Sequence, residues 1–368
     1  MHTALEVRVL IELPSDFPLK IGCLDVWEDE EGKEGKIVVG TNGGTLLILS
    51  EVEAPPSGSG HDERRSRRFE VVATRKTFAK KPITQVVVLK EIGLLVSLSD
   101  CVHSHELNTF NPVTSLSRTK GASLFNWDEE RGYLCVALKR RLLLYHLSGQ
   151  EFMELRDISL TDTVKSMAWC GDSMCLGFKK EYSLLNIFGN GAISEVFPTG
   201  GKGMVNILPL QNQELMLTKD SLGIYVGQDG KPTRRHGLPW SEPPLATASV
   251  EPYVLAVLPR FIEVRSLQRG AQQTLVQTIP LRDQKFLCSS NSILSRGSPA
   301  PPVLVANESA IYQLLQVHTL HTPPATGRLR PSKRASPIPS PSFPGGDVSQ
   351  LALAPSCRWD DPPLLPLG

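Results

Sequence analysis

The feature that most constrains the fold of this chain is a repeat of about forty residues. Short runs rich in Val, Ile and Leu alternate with turns of Gly, Asn and Asp, and no amphipathic helical pattern interrupts them. The first strand of each repeat begins near one of seven positions: Ile21, Ile83, Ala122, Val164, Val205, Leu245 and Phe286. Five of the six intervals are 39 to 42 residues long. The first interval, of 62 residues, contains a Pro-, Gly- and charge-rich insertion at about 53–70 that accounts for its extra length.

Repeats of this length with three or four strands are typical of β-propeller blades, each of which buries its faces only against its neighbours. The sequence therefore predicts an all-β fold, a seven-bladed β-propeller over residues 1–318. The strand-like segment from Thr3 to Leu13 has no repeat of its own. We expect it to close the ring as the missing outer strand of the last blade.

Composition argues against several classes of protein. The 39 Lys and Arg residues balance 38 Asp and Glu residues, so the formal net charge of +1 gives no global attraction to nucleic acid. The N-terminus lacks the pattern of a signal peptide, and no apolar run is long enough to span a membrane. Seven scattered cysteines do not resemble the disulfide framework of a secreted protein. We therefore expect a cytoplasmic protein.

The last fifty residues differ from the rest of the chain. Residues 319–368 contain 11 prolines and several serines, a composition that resists helix formation and core packing. The sequence therefore predicts a propeller at 1–318 and a Pro/Ser-rich disordered tail at 319–368. The basic stretch RLRPSKR in this tail is interpreted as a solvated linker, with membrane contact or phosphorylation of nearby serines as the alternative.

Two pairs of residues have side chains that can bind metals. Cys170 and Cys175 flank a predicted hairpin turn, but two thiols fall short of the four ligands of structural zinc, so we interpret them as small core residues. His103 and His105 alternate along a strand and face the same side. No carboxylate or cysteine nearby in the sequence is expected to complete a site, so we interpret them as a solvated pair. No metal site and no cofactor is predicted.

No catalytic motif is present in the sequence. The Gly-rich loop TGGKGM at 199–204 lacks the spacing of a phosphate-binding loop and is interpreted as an inter-blade loop. The chain has neither a nucleophile elbow nor a zinc-protease motif. We predict that the protein is not an enzyme, and a propeller hydrolase is the less favoured alternative. Recurring tryptophans are expected to pack between blades: Trp27, Trp127, Trp169 and Trp240.

Basic residues recur in the predicted turn between the second and third strands of four consecutive repeats. Equivalent turns of a propeller lie on one rim, so these side chains are candidates for a basic arc that binds an anionic membrane or an acidic protein. Solvated turn residues are the alternative interpretation. The candidate interaction residues are Lys139, Arg140, Arg141, Lys179, Lys180, Lys219 and Arg260.

Four strings resemble a known family. They are TKGASLF at Thr119–Phe125, VKSMAWC at Val164–Cys170, EVFPTG at Glu195–Gly200 and YVLAVLPRFIEVRSL at Tyr253–Leu267. They occur, in order, within a region from about residue 17 to about residue 317 that resembles the citron homology (CNH) propeller of the Vam6-like family of vacuolar sorting subunits. This resemblance ends near His318, where family members continue into an α-solenoid, so we expect a truncated or alternative product.

The resemblance implies a function in membrane traffic. Members of this family act in the HOPS tethering complex, with other HOPS subunits and a late-endosomal Rab GTPase, when late endosomes and autophagosomes fuse with the lysosome or vacuole. It therefore implies a non-catalytic interaction module in vesicle-mediated protein transport, peripheral on those membranes. A CORVET-type subunit or a receptor-associated CNH signalling scaffold is the alternative.

Overall fold

The computed structural model describes residues 4–14, 17–28, 35–52, 68–267, 275–284, 286–289 and 303–317. The described residues form 28 β-strands and three single 3-10 turns, and no α-helix occurs among them. The strands are β1 (Leu5–Glu12), β2 (Ile21–Glu28), β3 (Gly35–Thr41), β4 (Leu46–Val52), β5 (Arg68–Arg75), β6 (Gln85–Leu89), β7 (Leu94–Leu98), β8 (Val102–Glu106), β9 (Pro112–Leu116), β10 (Leu124–Asp128), β11 (Tyr133–Leu138), β12 (Arg141–Ser148), β13 (Glu151–Ser159), β14 (Ser166–Cys170), β15 (Ser173–Gly177), β16 (Glu181–Leu185), β17 (Ile193–Pro198), β18 (Ile207–Pro209), β19 (Leu215–Lys219), β20 (Leu222–Val226), β21 (Leu238–Pro239), β22 (Ala246–Val250), β23 (Tyr253–Val257), β24 (Ile262–Ser266), β25 (Leu275–Ile279), β26 (Phe286–Ser289), β27 (Val303–Ala306) and β28 (Ala310–Gln316).

These strands form seven four-stranded antiparallel sheets, the blades of a propeller. Blade 1 contains β2–β5, blade 2 contains β6–β9, and each later blade takes the next four strands up to β25 in blade 6. The first strands of most neighbouring blades contact each other, which places these strands around the central axis. The predicted repeat starts are confirmed: β2 and β26 begin at the expected residues, and the other five first strands begin one or two residues later.

Blade 7 combines the two ends of the propeller. Its order is β26, β27, β28 and then β1, so the N-terminal strand is the outermost strand of the last blade, as predicted. Leu5 pairs with Gln316 and Glu12 pairs with Ala310, with one register shift between Val9 and Ile11. Because β1 covers the edge of β28, the last blade has four strands, as the other blades do.

The core consists of one apolar cluster at each contact between neighbouring blades, seven in all among the described residues. Alternation along each strand produces this arrangement. In β11, Leu134 and Val136 pack toward blade 2, whereas Cys135 and Ala137 pack toward blade 4. The prediction that the tryptophans pack between blades is confirmed, since each of the four belongs to one of these clusters or packs against it: Trp27, Trp127, Trp169 and Trp240.

Two predicted segments fall wholly or mostly outside the described residues. Within the predicted insertion at 53–70, residues 68–70 belong to β5, and the rest is not described. The tail at 319–368 is likewise outside them. The division into a propeller and a disordered tail therefore stays a prediction. Among the described residues, no helix has the length and hydrophobicity needed to cross a membrane.

Candidate functional site: a basic face of the propeller

Loops of two kinds emerge at the same end of the propeller. Successive strands of a blade are antiparallel, so the turn from the second to the third strand lies at the same end as the connection from the fourth strand to the next blade. In blade 3 the turn is 139–140 and the connection is 160–165. Since every blade repeats this geometry, both kinds of loop build one face of the molecule.

The predicted basic residues lie at this end, but they are not equivalent. Lys139, Arg140, Lys179 and Lys180 are exposed in the turns of blades 3 and 4. Lys219 is half-buried at the end of β19. These turn positions agree with the sequence analysis, while their role in binding stays a prediction.

The other two predicted residues are neutralised by ion pairs. The Arg141 guanidinium binds both carboxylate oxygens of Asp157, with its Nε 3.0 Å from Oδ1. These hydrogen bonds hold the pKa of the Asp157 carboxyl below its usual value. Arg260 Nη2 lies 2.8 Å from Glu242 Oε1. The free positive charge is therefore concentrated on blades 3 and 4 rather than spread evenly to blade 6.

Further lysines join this surface from the connections between blades, which the sequence analysis did not use. They lie in the connections that follow blades 1 to 4, and all are exposed. None of these side chains, and none of the four exposed turn residues of blades 3 and 4, has an acidic partner among the described residues. We call the ten residues together the basic face: Lys76, Lys80, Lys81, Lys120, Lys139, Arg140, Lys165, Lys179, Lys180 and Lys202. These additional lysines could have been found from the sequence, because both kinds of loop recur with the period of the blade.

Carboxylates on the same loops are few and are engaged locally. Asp162 Oδ1 accepts a hydrogen bond of 2.7 Å from the backbone N–H of Thr163. Asp220 Oδ1 accepts one of 2.8 Å from the backbone N–H of Lys202. These interactions leave the lysine ammonium groups unpaired, so the face is attractive to anions over several blades.

The Gly-rich loop is an inter-blade loop, as predicted, and connects β17 to β18. Gly200, Gly201 and Gly203 all have positive φ, which glycine adopts without steric cost. The Asp220 carboxylate lies against the loop, so close that a Cβ on Gly200 would lie 2.4 Å from its Oδ2, and it accepts a hydrogen bond from the backbone N–H of Lys202. An acidic side chain in this position opposes the binding of a phosphate by the loop amides.

Exposed apolar side chains lie on the same end of the propeller, beside the basic residues. Met204 is 60% exposed in the connection between blades 4 and 5, and Leu245 is 39% exposed in the next connection. Leu222, which follows the turn of blade 5, is 38% exposed. This end of the molecule therefore combines cations on blades 1 to 4 with apolar side chains around blade 5.

The paired cysteines are core residues, as interpreted from the sequence. Cys170 and Cys175 flank the hairpin between β14 and β15, and both lie in the apolar cluster between blades 4 and 5. Burial raises the pKa of the Cys170 thiol to about 11 and raises that of Cys175 further. Both side chains are therefore protonated thiols at neutral pH, and packing explains their positions.

The interpretation of the histidines as a solvated pair was wrong. His105 is only 6% exposed, its ring lies 4.2 Å from that of Phe78, and its Nε2 lies 3.3 Å from Ser97 Oγ. His103 is partly exposed and lies beside Asp100 and Cys101. A carboxylate and a thiol therefore lie next to His103, where the sequence analysis had expected neither to contribute, and the absence of a metal site stays a prediction.

Seven four-stranded blades closed by an N-terminal strand define a β-propeller, and one end of this propeller carries the basic face. Residues 33–290 match the model of the CNH domain. The chain belongs to the CNH domain family. In agreement, the solved AfRom2 CNH domain superposes with a TM-score of 0.60, covering 85% of this chain and 99% of that one at 17% identity, which supports the fold.

Several of the relatives that this chain matches carry names from vacuolar sorting. The Vam6/Vps39-like proteins of Homo sapiens and Mus musculus are 35% identical over 336 residues, covering 86% of this chain and 35% of those proteins. Vacuolar sorting protein 39 of Arabidopsis thaliana is 36% identical over 309 residues, covering 83% of this chain and 29% of that protein. The chain thus spans about a third of the length of the curated relatives it matches.

Proposed function

We propose that this propeller is a non-catalytic interaction module of a HOPS-type membrane tether. It acts in vesicle-mediated protein transport, where late endosomes and autophagosomes fuse with the lysosome or vacuole. The observation that carries the proposal is the 35% identity to Vam6/Vps39-like protein over 86% of the chain. Its partners are other HOPS subunits and a late-endosomal Rab GTPase, and it works in the cytoplasm, peripherally on these membranes.

The basic face supplies the contact with the membrane. Lysines near the cytoplasmic leaflet gain about 1 kcal/mol each from anionic lipids, and exposed apolar side chains insert at the headgroup level. The ten cations of the basic face and the neighbouring Met204, Leu222 and Leu245 provide both contributions at one end of the propeller. Electrostatic attraction of this kind recruits the chain, and protein partners then determine the membrane on which it acts.

A nucleotide-dependent capture experiment tests the proposed Rab partner. The full chain is immobilised and incubated with late-endosomal Rab loaded with GDP or with a non-hydrolysable GTP analogue, and bound Rab is quantified. The proposal expects selective capture of the GTP form. Equal capture of the two forms, or capture of neither, contradicts the Rab assignment.

Charge reversal tests the role of the basic face in membrane binding. We predict that Lys179→Glu with Lys180→Glu weakens co-sedimentation with phosphatidylcholine vesicles containing phosphatidylserine at least about tenfold, because two attractive charges become repulsive. The matched control is Lys231→Glu with Arg235→Glu, which reverses two exposed charges in the loop between β20 and β21 at the opposite end.

The double variant Arg260→Gln with Glu242→Gln serves as a second comparison, because it removes an ion pair and leaves the net charge of this end unchanged. We expect this variant to lose less binding than a single reversal at Lys179. Vesicle binding is measured at low ionic strength, where surface electrostatics are strongest, and the melting temperature of each variant is checked. Equal binding by the Lys179/Lys180 variant and the wild-type chain under these conditions contradicts the proposed membrane contact.

A further inference from the structure

Three metal-ligating side chains meet at the turn between β7 and β8 of blade 2. Asp100 and Cys101 belong to the turn, and His103 is the second residue of β8. The carboxylate, thiol and imidazole each offer one ligand atom, and these atoms all lie within 4.8 Å of one another. The residues span only four positions, so the backbone of one hairpin brings together all three donors.

The thiol and the carboxylate both lie close to the same nitrogen of His103. Cys101 Sγ lies 3.2 Å from His103 Nε2, and Asp100 Oδ1 lies 3.4 Å from the same atom. A nucleophilic triad requires the carboxylate on the ring nitrogen opposite the thiol, so that the imidazole transfers a proton between them. Here both groups approach Nε2. This geometry does not fit a proton relay, whereas three donors around one point fit a shared cation.

The spacing of these atoms fits zinc. Zinc binds thiolate sulfur at about 2.3 Å and imidazole nitrogen or carboxylate oxygen at about 2.0–2.2 Å, which in tetrahedral geometry separates the ligand atoms by roughly 3.3–3.6 Å. The Asp100–His103 separation lies within this range, and the Cys101–His103 separation is about 0.4 Å shorter than the sulfur–nitrogen value at its upper end, so a bound ion requires these two side chains to move slightly apart. A mixed sulfur, nitrogen and oxygen set also suits zinc better than the hard cations calcium and magnesium.

Cys101 differs in its surroundings from four other cysteines of the propeller. Cys23, Cys135, Cys170 and Cys175 lie in apolar inter-blade clusters. Cys101 is also buried, but it belongs to none of these clusters, and its Sγ lies 3.5 Å from Ser115 Oγ as well as beside the imidazole. The Cys101 sulfur therefore lies among polar groups rather than among hydrocarbon, as the sulfur ligand of a metal does.

The hairpin is held in place by hydrogen bonds to the connection between blades 2 and 3. The N–H of Gly121 donates to Asp100 O at 2.8 Å, and the N–H of Val102 donates to Thr119 Oγ1 at 2.8 Å. His103 and Asp100 side chains are 29% and 37% exposed, so an ion can enter from solvent. The three ligand groups are therefore held in position by the hairpin and remain accessible to solvent. This is the arrangement of a zinc site with three protein ligands.

We propose that Asp100, Cys101 and His103 bind Zn²⁺, with the fourth coordination position open to water. The thiolate and carboxylate together neutralise the charge of the ion. The bound metal fixes the β7–β8 turn at the end of the propeller that carries the basic face, but this site stands independently of the proposed membrane function.

Cobalt substitution tests the site in the full chain. The protein is stripped with a chelator, kept reduced and titrated with Co²⁺, and then Zn²⁺ is added to displace the cobalt. We expect a thiolate-to-cobalt charge-transfer absorption that saturates at one equivalent and disappears with Zn²⁺. Cys101→Ser should abolish this absorption, and His103→Gln should weaken binding by at least about 100-fold, because loss of a direct ligand exceeds the effect of losing an outer-shell partner.

His236→Gln is the matched control, since His236 is an exposed histidine in the loop between β20 and β21, away from the site. This variant should leave the Co²⁺ titration unchanged. Any Co²⁺ binding by cysteines other than Cys101 should be the same in all variants. Asp100→Asn, a change at a partly exposed side chain, provides a test if Cys101→Ser does not fold, and it should also weaken binding. Absence of the absorption in the wild-type chain, or its retention in Cys101→Ser, overturns the proposal.

Discussion

Individual residues in this propeller acquire their properties from neighbours that are distant in sequence. His105 stands in a polar-looking strand, VHSHE, but the connection from blade 1 places Phe78 against its ring. Burial is the main cause that lowers the pKa of His105, to about 4, and the nearby His103 acts in the same direction. The imidazole is therefore neutral in the folded chain over a pH range in which an exposed histidine becomes protonated.

This burial predicts a specific dependence of stability on pH. Between pH 6.5 and about 4 the unfolded chain binds a proton at His105 that the folded chain does not, so the free energy of unfolding decreases as the pH falls through this window. The difference between the His105 pKa in the unfolded chain and in the folded chain corresponds to about 3 kcal/mol of unfolding free energy. Chemical denaturation from pH 7 to pH 4 should show a shallower loss of stability for His105→Gln than for the wild-type chain. The same slope in both proteins contradicts the assignment, and the exposed His236→Gln serves as control.

At the scale of strands, the fold was largely predictable and the charge state of the surface was not. Alternating apolar runs and turns located the first strand of every blade to within two residues because backbone pairing and burial depend on local pattern. The pairing of Arg260 with Glu242, and of Arg141 with Asp157, depends on side chains 16 to 18 residues away that the repeat brings together. The error at His103 differs in kind, because its partners Asp100 and Cys101 are only three and two residues away and are brought to it by the conformation of the β7–β8 turn.

Side-chain amides join neighbouring blades where two β-sheets cannot pair directly. Gln85 in β6 donates from Nε2 to Phe125 O at 2.7 Å, and its Oε1 accepts from the N–H of Phe125 at 3.0 Å. One glutamine thus replaces a pair of backbone hydrogen bonds between the first strands of blades 2 and 3. Gln277 in β25 binds the backbone of Leu5 in the same way and joins blade 6 to β1.

Removing such a bridge should destabilise the propeller measurably. Gln85→Ala leaves the N–H and carbonyl of the buried Phe125 without these partners, so we predict a loss of about 2 kcal/mol in the free energy of unfolding. Urea denaturation followed by tryptophan fluorescence measures the change. Gln150→Ala, in the exposed turn between β12 and β13, is the matched control and should change stability by less than about 0.5 kcal/mol. Equal stability of the two variants contradicts the bridging role of Gln85.

For the whole molecule, stability depends on closing the ring. Every blade contributes to two apolar clusters, one on each side, so an incomplete blade weakens both of its contacts. Blade 7 is the one assembled from both ends of the propeller, through pairs such as Leu5 with Gln316. Its β1 strand places Leu5 in the cluster with blade 6 and Leu10 in the cluster with blade 1. A short N-terminal segment therefore connects the two ends of a ring that spans some three hundred residues.

Deletion of residues 1–12 tests this dependence on closure. Loss of the buried Leu5 and Leu10 removes about 2 kcal/mol each, and the ladder of β28 is left as an open edge that favours aggregation. We predict that the melting temperature, measured by scanning calorimetry, falls by about 10 °C and that the variant self-associates on size-exclusion chromatography. Deletion of residues 319–368 is the control, because it leaves all 28 described strands in place and should leave the melting temperature within about 2 °C of the wild-type value. An unchanged melting temperature after deletion of β1 would mean that the inter-blade clusters hold the ring together without the terminal strand, and that closure contributes little to stability.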